Sequence, residues 1–121
     1  MSSGNWVGRR ILVVEDEAVV AMLLEDMLID LGCEIVGPVA NVEQALAVLD
    51  AETVDAAVLD VNLNGQPSYR IADALADRGR PFLFITGYGE AGLDDGYRQR
   101  PVVQKPFTRE RLAQALGGLD L

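Results

Sequence analysis

Histidine is absent from the 121-residue chain, and cysteine occurs once, at Cys33. The Cys/His sets that hold zinc cannot be assembled and no internal disulfide can close, so any metal is expected to be bound by oxygen. Cys33 follows a helix-ending glycine and reads as a small buried apolar side chain, with no redox role. No apolar run approaches the ~20 residues of a membrane span, and the opening MSSGNWVGRR lacks the apolar centre of a signal peptide. A cytoplasmic protein that does not enter membranes is expected. Basic residues are scarce as well: 10 Lys and Arg against 19 Asp and Glu leave a net charge of −9. That field repels phosphate backbones and anionic lipids, which argues against direct nucleic-acid binding.

Half of the residues are apolar and 24% are charged, an ordinary globular balance for one domain. An N-terminal arm over residues 1–8 is expected to lead into a single domain over 9–121, with no output domain after it. Residues 9–14 form a β-branched run, and Val20, Leu23, Leu24, Met27, Leu28 and Leu31 then recur at helical spacing. Gly32 ends that helix, and residues 34–39 read as a second strand whose Pro38 suits an edge. Asn41 caps a helix over 42–51, residues 55–60 supply a third strand, and Pro67 fits the first turn of a helix running to about Arg78. Residues 81–86 and 101–104 are the fourth and fifth strands, and Thr108 caps a last helix over about 109–117. Strands alternating with helices give an α/β fold: a doubly wound five-stranded parallel sheet of flavodoxin-like order 2-1-3-4-5, with helices on both faces. Over residues 87–100 the expected fourth crossover helix contains four glycines and is predicted to be short or mobile. Trp6 is expected to cap a sheet edge.

Ligands of such sheets bind beyond the carboxyl ends of the strands. Strand one ends in Glu15 and Asp16, strand three in Asp60, strand four in Thr86, and strand five in Lys105. Three acids in one crevice repel each other unless a hard divalent cation neutralises them, and Mg²⁺ takes a few carboxylate oxygens plus waters. A carboxylate can itself attack phosphorus when a metal and a cation stabilise the phosphoryl oxygens. Lys105, the sole lysine, and Thr86 suit that need. Taken singly, the acids read as helix N-terminal charges, Thr86 as a strand-end hydroxyl and Lys105 as a solvated charge. Their joint placement at four strand ends favours a site.

The acid pair in VVEDE, the aspartate of VLDVNLNG, the Thr-Gly of FITGYG and the final KPF together resemble the receiver domain of two-component response regulators, over residues 9 to 118. The resemblance implies that Asp60 accepts a phosphoryl group from a histidine kinase or phosphotransferase. It implies that Asp16 and Asp60 bind Mg²⁺ directly, Glu15 through water, and Asn62 by its backbone carbonyl. Thr86 and Lys105 would each hold a phosphoryl oxygen, and the bond from Lys105 to Pro106 would be cis. Residues 84–89 are similar to the FATGUY subgroup of single-domain receivers, with Ile85 in place of alanine and Gly89 where the last aromatic is expected. Output would then pass through a downstream regulatory protein.

Receivers carry Tyr or Phe three residues before the lysine, where this chain has Val102. The usual partner of the switch threonine Thr86 is missing, and either Tyr88 or Tyr97 swings over the site or a tyrosine packs buried on the sheet. Val19 and Met22, apolar but off the core stripe of the first helix, are candidates for docking a partner helix or for marginal packing. Two other function classes remain open: a phosphorylation-independent pseudo-receiver scaffold, and a haloacid-dehalogenase-like phosphatase. Against the latter, the aspartate lies on the third strand and Asn62 stands where a second acid belongs.

Overall fold

In this computed structural model, which describes residues 5–87, 101–119 and 121, the continuous apolar runs become strands buried on both faces. β1 (Arg10–Val14), β2 (Glu34–Val39), β3 (Ala56–Asp60), β6 (Phe82–Thr86) and β7 (Val102–Gln104) form one parallel sheet in the order β2-β1-β3-β6-β7. That is the order the sequence predicts. Between β3 and β6 lies a separate two-stranded hairpin, β4 (Asn62–Leu63) with β5 (Gln66–Pro67).

Strand alternation sends successive side chains to opposite faces, so the sheet builds two cores. Ile11, Val13, Val58, Leu83 and Ile85 meet Leu24 and Leu28 of α1 (Ala18–Asp30) and Leu112 and Leu116 of α4 (Arg109–Gly117). On the other face Leu12, Val14, Leu59, Phe82 and Phe84 meet Val42, Ala45 and Leu49 of α2 (Val42–Ala51) and Ile71, Ala72 and Leu75 of α3 (Tyr69–Asp77). Phe82 and Phe84 pack edge to face at 5.4 Å. Each such buried ring stabilises the fold by roughly 1.5–3 kcal/mol relative to exposure. The predicted caps form: Asn41 Oδ1 accepts from Gln44 N at 2.8 Å and Thr108 Oγ1 from Arg111 N at 3.1 Å. Cys33 is buried, and burial pushes its thiol up to about 11. Among the described residues no helix is long and apolar enough to cross a membrane.

Two local expectations change. The buried stripe of α1 is Ala21, Leu24 and Leu28, while Leu23 is 43% exposed. The helix meets the sheet along i, i+3 and i+7, and Leu23 lies about 100° away from Leu24 on the helical wheel. Pro67 precedes α3, which begins at Tyr69 after Ser68. Asn64 and Gly65 both have positive φ, 55° and 87°, and close the hairpin as the two-residue turn that Asn-Gly favours. Leu63 and Gln66 flank that turn and Ser68 N bonds Val61 O, so the Asn62–Pro67 pair between them is a non-hydrogen-bonded one and proline's missing N–H costs nothing there. Trp6 packs with the core that α1 and α4 share with the sheet, its indole donating to Leu31 O at 3.0 Å. Pro38 does lie on the edge strand, where β2 and β1 are out of step by one residue between Leu12 and Val14. The fourth crossover helix expected over residues 87–100 lies, apart from Gly87, outside the described residues.

Candidate functional site

Parallel strands all finish at the same edge of the sheet, so the residues that follow them are brought together. β1 delivers Glu15 and Asp16, and Glu17 is the residue before the first turn of α1. β3 ends in Asp60 and β6 in Thr86, both buried. Lys105 N donates to Thr86 O at 2.9 Å, which ties the lysine to the end of β6. Its bond to Pro106 is cis, as is Gly37–Pro38. Asp60, Thr86 and Lys105 line a cavity of about 790 Å³ with Asp16 and Glu17.

The ammonium of Lys105 lies among three carboxylates. Nζ is 3.3 Å from Asp60 Oδ2, 3.1 Å from Glu17 Oε1 and 3.2 Å from Glu15 Oε1. The first two are hydrogen bonds; the contact with Glu15 is an ion pair without hydrogen-bond alignment, and the buried Oε1 has no hydrogen-bond donor. Glu15 Oε2 accepts from Glu17 N at 3.1 Å, and Asp60 Oδ1 from Asn62 N at 3.4 Å. Burial, then the neighbouring Asp60, pushes the Glu15 carboxyl up to about 8. Burial also raises Asp60, against the pull of Glu15, Lys105 and the Asn62 amide. Burial opposes the charge on Lys105, but Asp60, Glu17 and Glu15 outweigh it and raise its pKa. The acids therefore resist ionising together while the lysine stays charged.

Glu15, Asp16, Glu17 and Asp60 each offer one oxygen, all within 4.8 Å of one another. Four carboxylates, one ammonium and a buried oxygen without a donor fit a hard divalent cation such as Mg²⁺. Glu17 is the member that sequence reasoning passes over, because an acid at a helix N-terminus is already explained by the helix dipole. The run Glu15-Asp16-Glu17 was the available signal. The β4–β5 hairpin is the other unforeseen part: Asn64 N donates to Asp16 Oδ2 at 3.0 Å and holds that carboxylate from across the cavity. Val102 is half-buried beside Phe84, whereas Tyr88 and Tyr97 lie outside the described residues. Val19 and Met22 are 78% and 62% exposed, and Leu23 extends the same apolar patch.

The response regulator receiver domain family matches residues 11–117. The solution structure of SdrG from Sphingomonas melonis Fr1 is similar at 45% identity and a TM-score of 0.81, over 96% of each chain. The BeF3-activated conformation of SdrG from Pseudomonas melonis Fr1 is 48% identical with a TM-score of 0.78, over 88% of this chain and 92% of that one. The transcriptional regulatory protein TcrA of Mycobacterium tuberculosis is 36% identical over 97% of this chain and 48% of its own length. The chain spans about half the length of the curated relatives it matches.

Proposed function

Because this chain belongs to the response regulator receiver family, a family of signalling domains, we propose that it accepts a phosphoryl group on Asp60 from a histidine kinase or phosphotransferase. The observation that carries the reading is Asp60 Oδ2 at 3.3 Å from Lys105 Nζ, at a strand end, within a cluster of four carboxylates.

In the step proposed, an Asp60 oxygen attacks phosphorus. The new P–O bond forms as the P–N bond to the donor histidine breaks, and the bonding pair leaves with the imidazole nitrogen. Lys105, held by the Thr86 carbonyl, moves its ammonium from the Asp60 oxygen onto a phosphoryl oxygen. The Thr86 hydroxyl supplies a further donor. Glu15, Asp16 and Asp60, with Glu17 beside them and the Asn62 carbonyl completing the set, would hold Mg²⁺. Bound there, the ion neutralises charge on the phosphoryl oxygens. A +2 charge there would offset the burial and the neighbouring Asp60 that raise the Glu15 carboxyl, so that these acids could serve as ligands.

We read the chain as a stand-alone receiver of the FATGUY type acting on another protein; residues 84–89 and the likeness to SdrG over 96% of that chain support this. Exposed Val19, Met22 and Leu23, adjoining the acid end of α1, form the surface proposed to dock the kinase or phosphotransferase. Net charge −9 and the lack of a membrane-crossing helix among the described residues support protein partners over nucleic acid or membrane.

Intact-mass measurement after incubation with acetyl phosphate and Mg²⁺ tests the acceptor. The wild type gains one phosphoryl group and Asp60→Asn gains none. An adduct on both proteins would remove Asp60 from this role.

A further inference from the structure

Among the described residues lining the cavity, Tyr69 is the one aromatic. It is the first residue of α3, and its ring meets Phe84 edge-on, with centroids 6.2 Å apart and planes at 90°. Phe84 and Thr86 are two residues apart on β6 and therefore share a face. Phe84 is in turn the register partner of Val102 on β7, and Tyr69 and Val102 both pack against the same core cluster. One aromatic ring thus touches the wall of the acid cavity, the strand that carries Thr86, and the start of a helix.

Resting on the receiver reading, we infer that Tyr69 is the positioning residue through which an occupied Asp60 acts on α3. The ring takes the place of the aromatic that Val102 does not provide. When a ligand on Asp60 draws the Thr86 hydroxyl toward it, the end of β6 shifts, and Phe84, locked edge-on between Phe82 and Tyr69, carries that shift into the ring. A close-packed aromatic contact transmits a displacement because it has few alternative arrangements of equal energy. The start of α3 is tied to the same region from its other side, since Ser68 N donates to Val61 O at 2.9 Å, immediately after Asp60. The helix therefore receives the strand's movement at its first turn.

Backbone amide NMR with beryllofluoride and Mg²⁺ as the probe tests this. In the wild type, adduct formation should move the amides of Asp60, Val61 and Asn62, and also those of α3 from Ile71 to Leu75. In Tyr69→Leu, which keeps an apolar side chain without a ring, saturating probe should still move the first group while the α3 response is lost. Tyr69→Phe should retain both, and Val102→Tyr added to Tyr69→Leu should restore the α3 response. An α3 response that persists in Tyr69→Leu, with the Asp60 amides shifting normally, overturns the inference and leaves the receiver reading standing. A wild type whose Asp60 amides ignore the probe overturns both.

Discussion

The two ends of β1 each gather a cation and three carboxylates, yet they are built for opposite purposes. At the start of the strand the Arg10 guanidinium bonds Glu34 and Glu52, both at 2.8 Å, and the Thr53 carbonyl at 2.6 Å, while its backbone N–H bonds Asp55 at 2.8 Å. These side chains are largely in water, with Glu34 62% and Glu52 47% exposed. At the far end Lys105 meets Glu15, Glu17 and Asp60, and the side chains of Glu15 and Asp60 are 0% and 7% exposed. The planar fork of Arg10 reaches all three of its acceptors; the Lys105 ammonium is aligned with Asp60 and Glu17 only, and Glu15 Oε1 stays without a donor. One basic residue held by three acidic ones therefore makes a solvated latch at one end, where Arg9 also pairs with Asp55, and an electrostatically frustrated cavity at the other, where Asp16 adds a fourth acid. The surplus of negative charge is what a divalent cation would relieve.

The comparison breaks most sharply at Lys105. Lys105→Met leaves Glu15 and Asp60 buried without an ammonium, and stability in metal-free buffer should fall by about 3 kcal/mol where both acids are ionised. Urea unfolding at pH 9 measures it. The loss should shrink at pH 6, where one proton on the pair replaces the missing positive charge.

The second effect is the pH dependence itself. Glu15 ordinarily titrates near 4.5 and is held near 8 in the fold. A carboxyl raised by folding keeps its proton in the native state while the unfolded chain has released it. Its contribution is therefore fully present below the unfolded value and is lost as pH rises through the native one. Stability in metal-free buffer should decline between about pH 4.5 and pH 8. Glu15→Gln should flatten that slope, and so should saturating Mg²⁺. A wild-type curve that rises over this range would mean that Glu15 is not strained by its neighbours.

The frustrated end was legible in the sequence to the extent that strand ends predict it. Glu15, Asp16, Asp60, Thr86 and Lys105 each follow or close an apolar run, and a parallel sheet must bring such positions together. Glu17 was hidden because a helix N-terminal acid needs no second explanation, and only the chain path of Lys105 shows that it faces the cavity. The hairpin that grips Asp16 was hidden by its size. Two-residue strands carry no periodicity, and Pro67 reads equally well as the start of a helix. Tyr69 belongs to the cavity only because α3 docks beside β6, a tertiary fact that no local pattern encodes. The apolar register of α1 was misjudged at Leu23 because Leu23 and Leu24 both fit the helical repeat, and contact with the sheet chooses between them.

The smallest effect should come from the other cluster, although the Arg10 side chain makes three hydrogen bonds there and the Lys105 ammonium two in the cavity. Arg10→Met removes three side-chain bonds, but Glu34 and Glu52 are then left in water, which hydrates them, and the Thr53 carbonyl lies at the surface within reach of solvent. The bond from Arg10 N to Asp55 Oδ2 uses the backbone and survives the substitution. The methionine stem still covers the apolar surface that the arginine stem covered. The urea midpoint should therefore move far less than in Lys105→Met, and raising the salt concentration should narrow the gap between Arg10→Met and the wild type, because exposed charges are screened. Arg10→Met destabilising as much as Lys105→Met would show that bond count outweighs burial, and the contrast between the two ends of β1 would lose its physical basis.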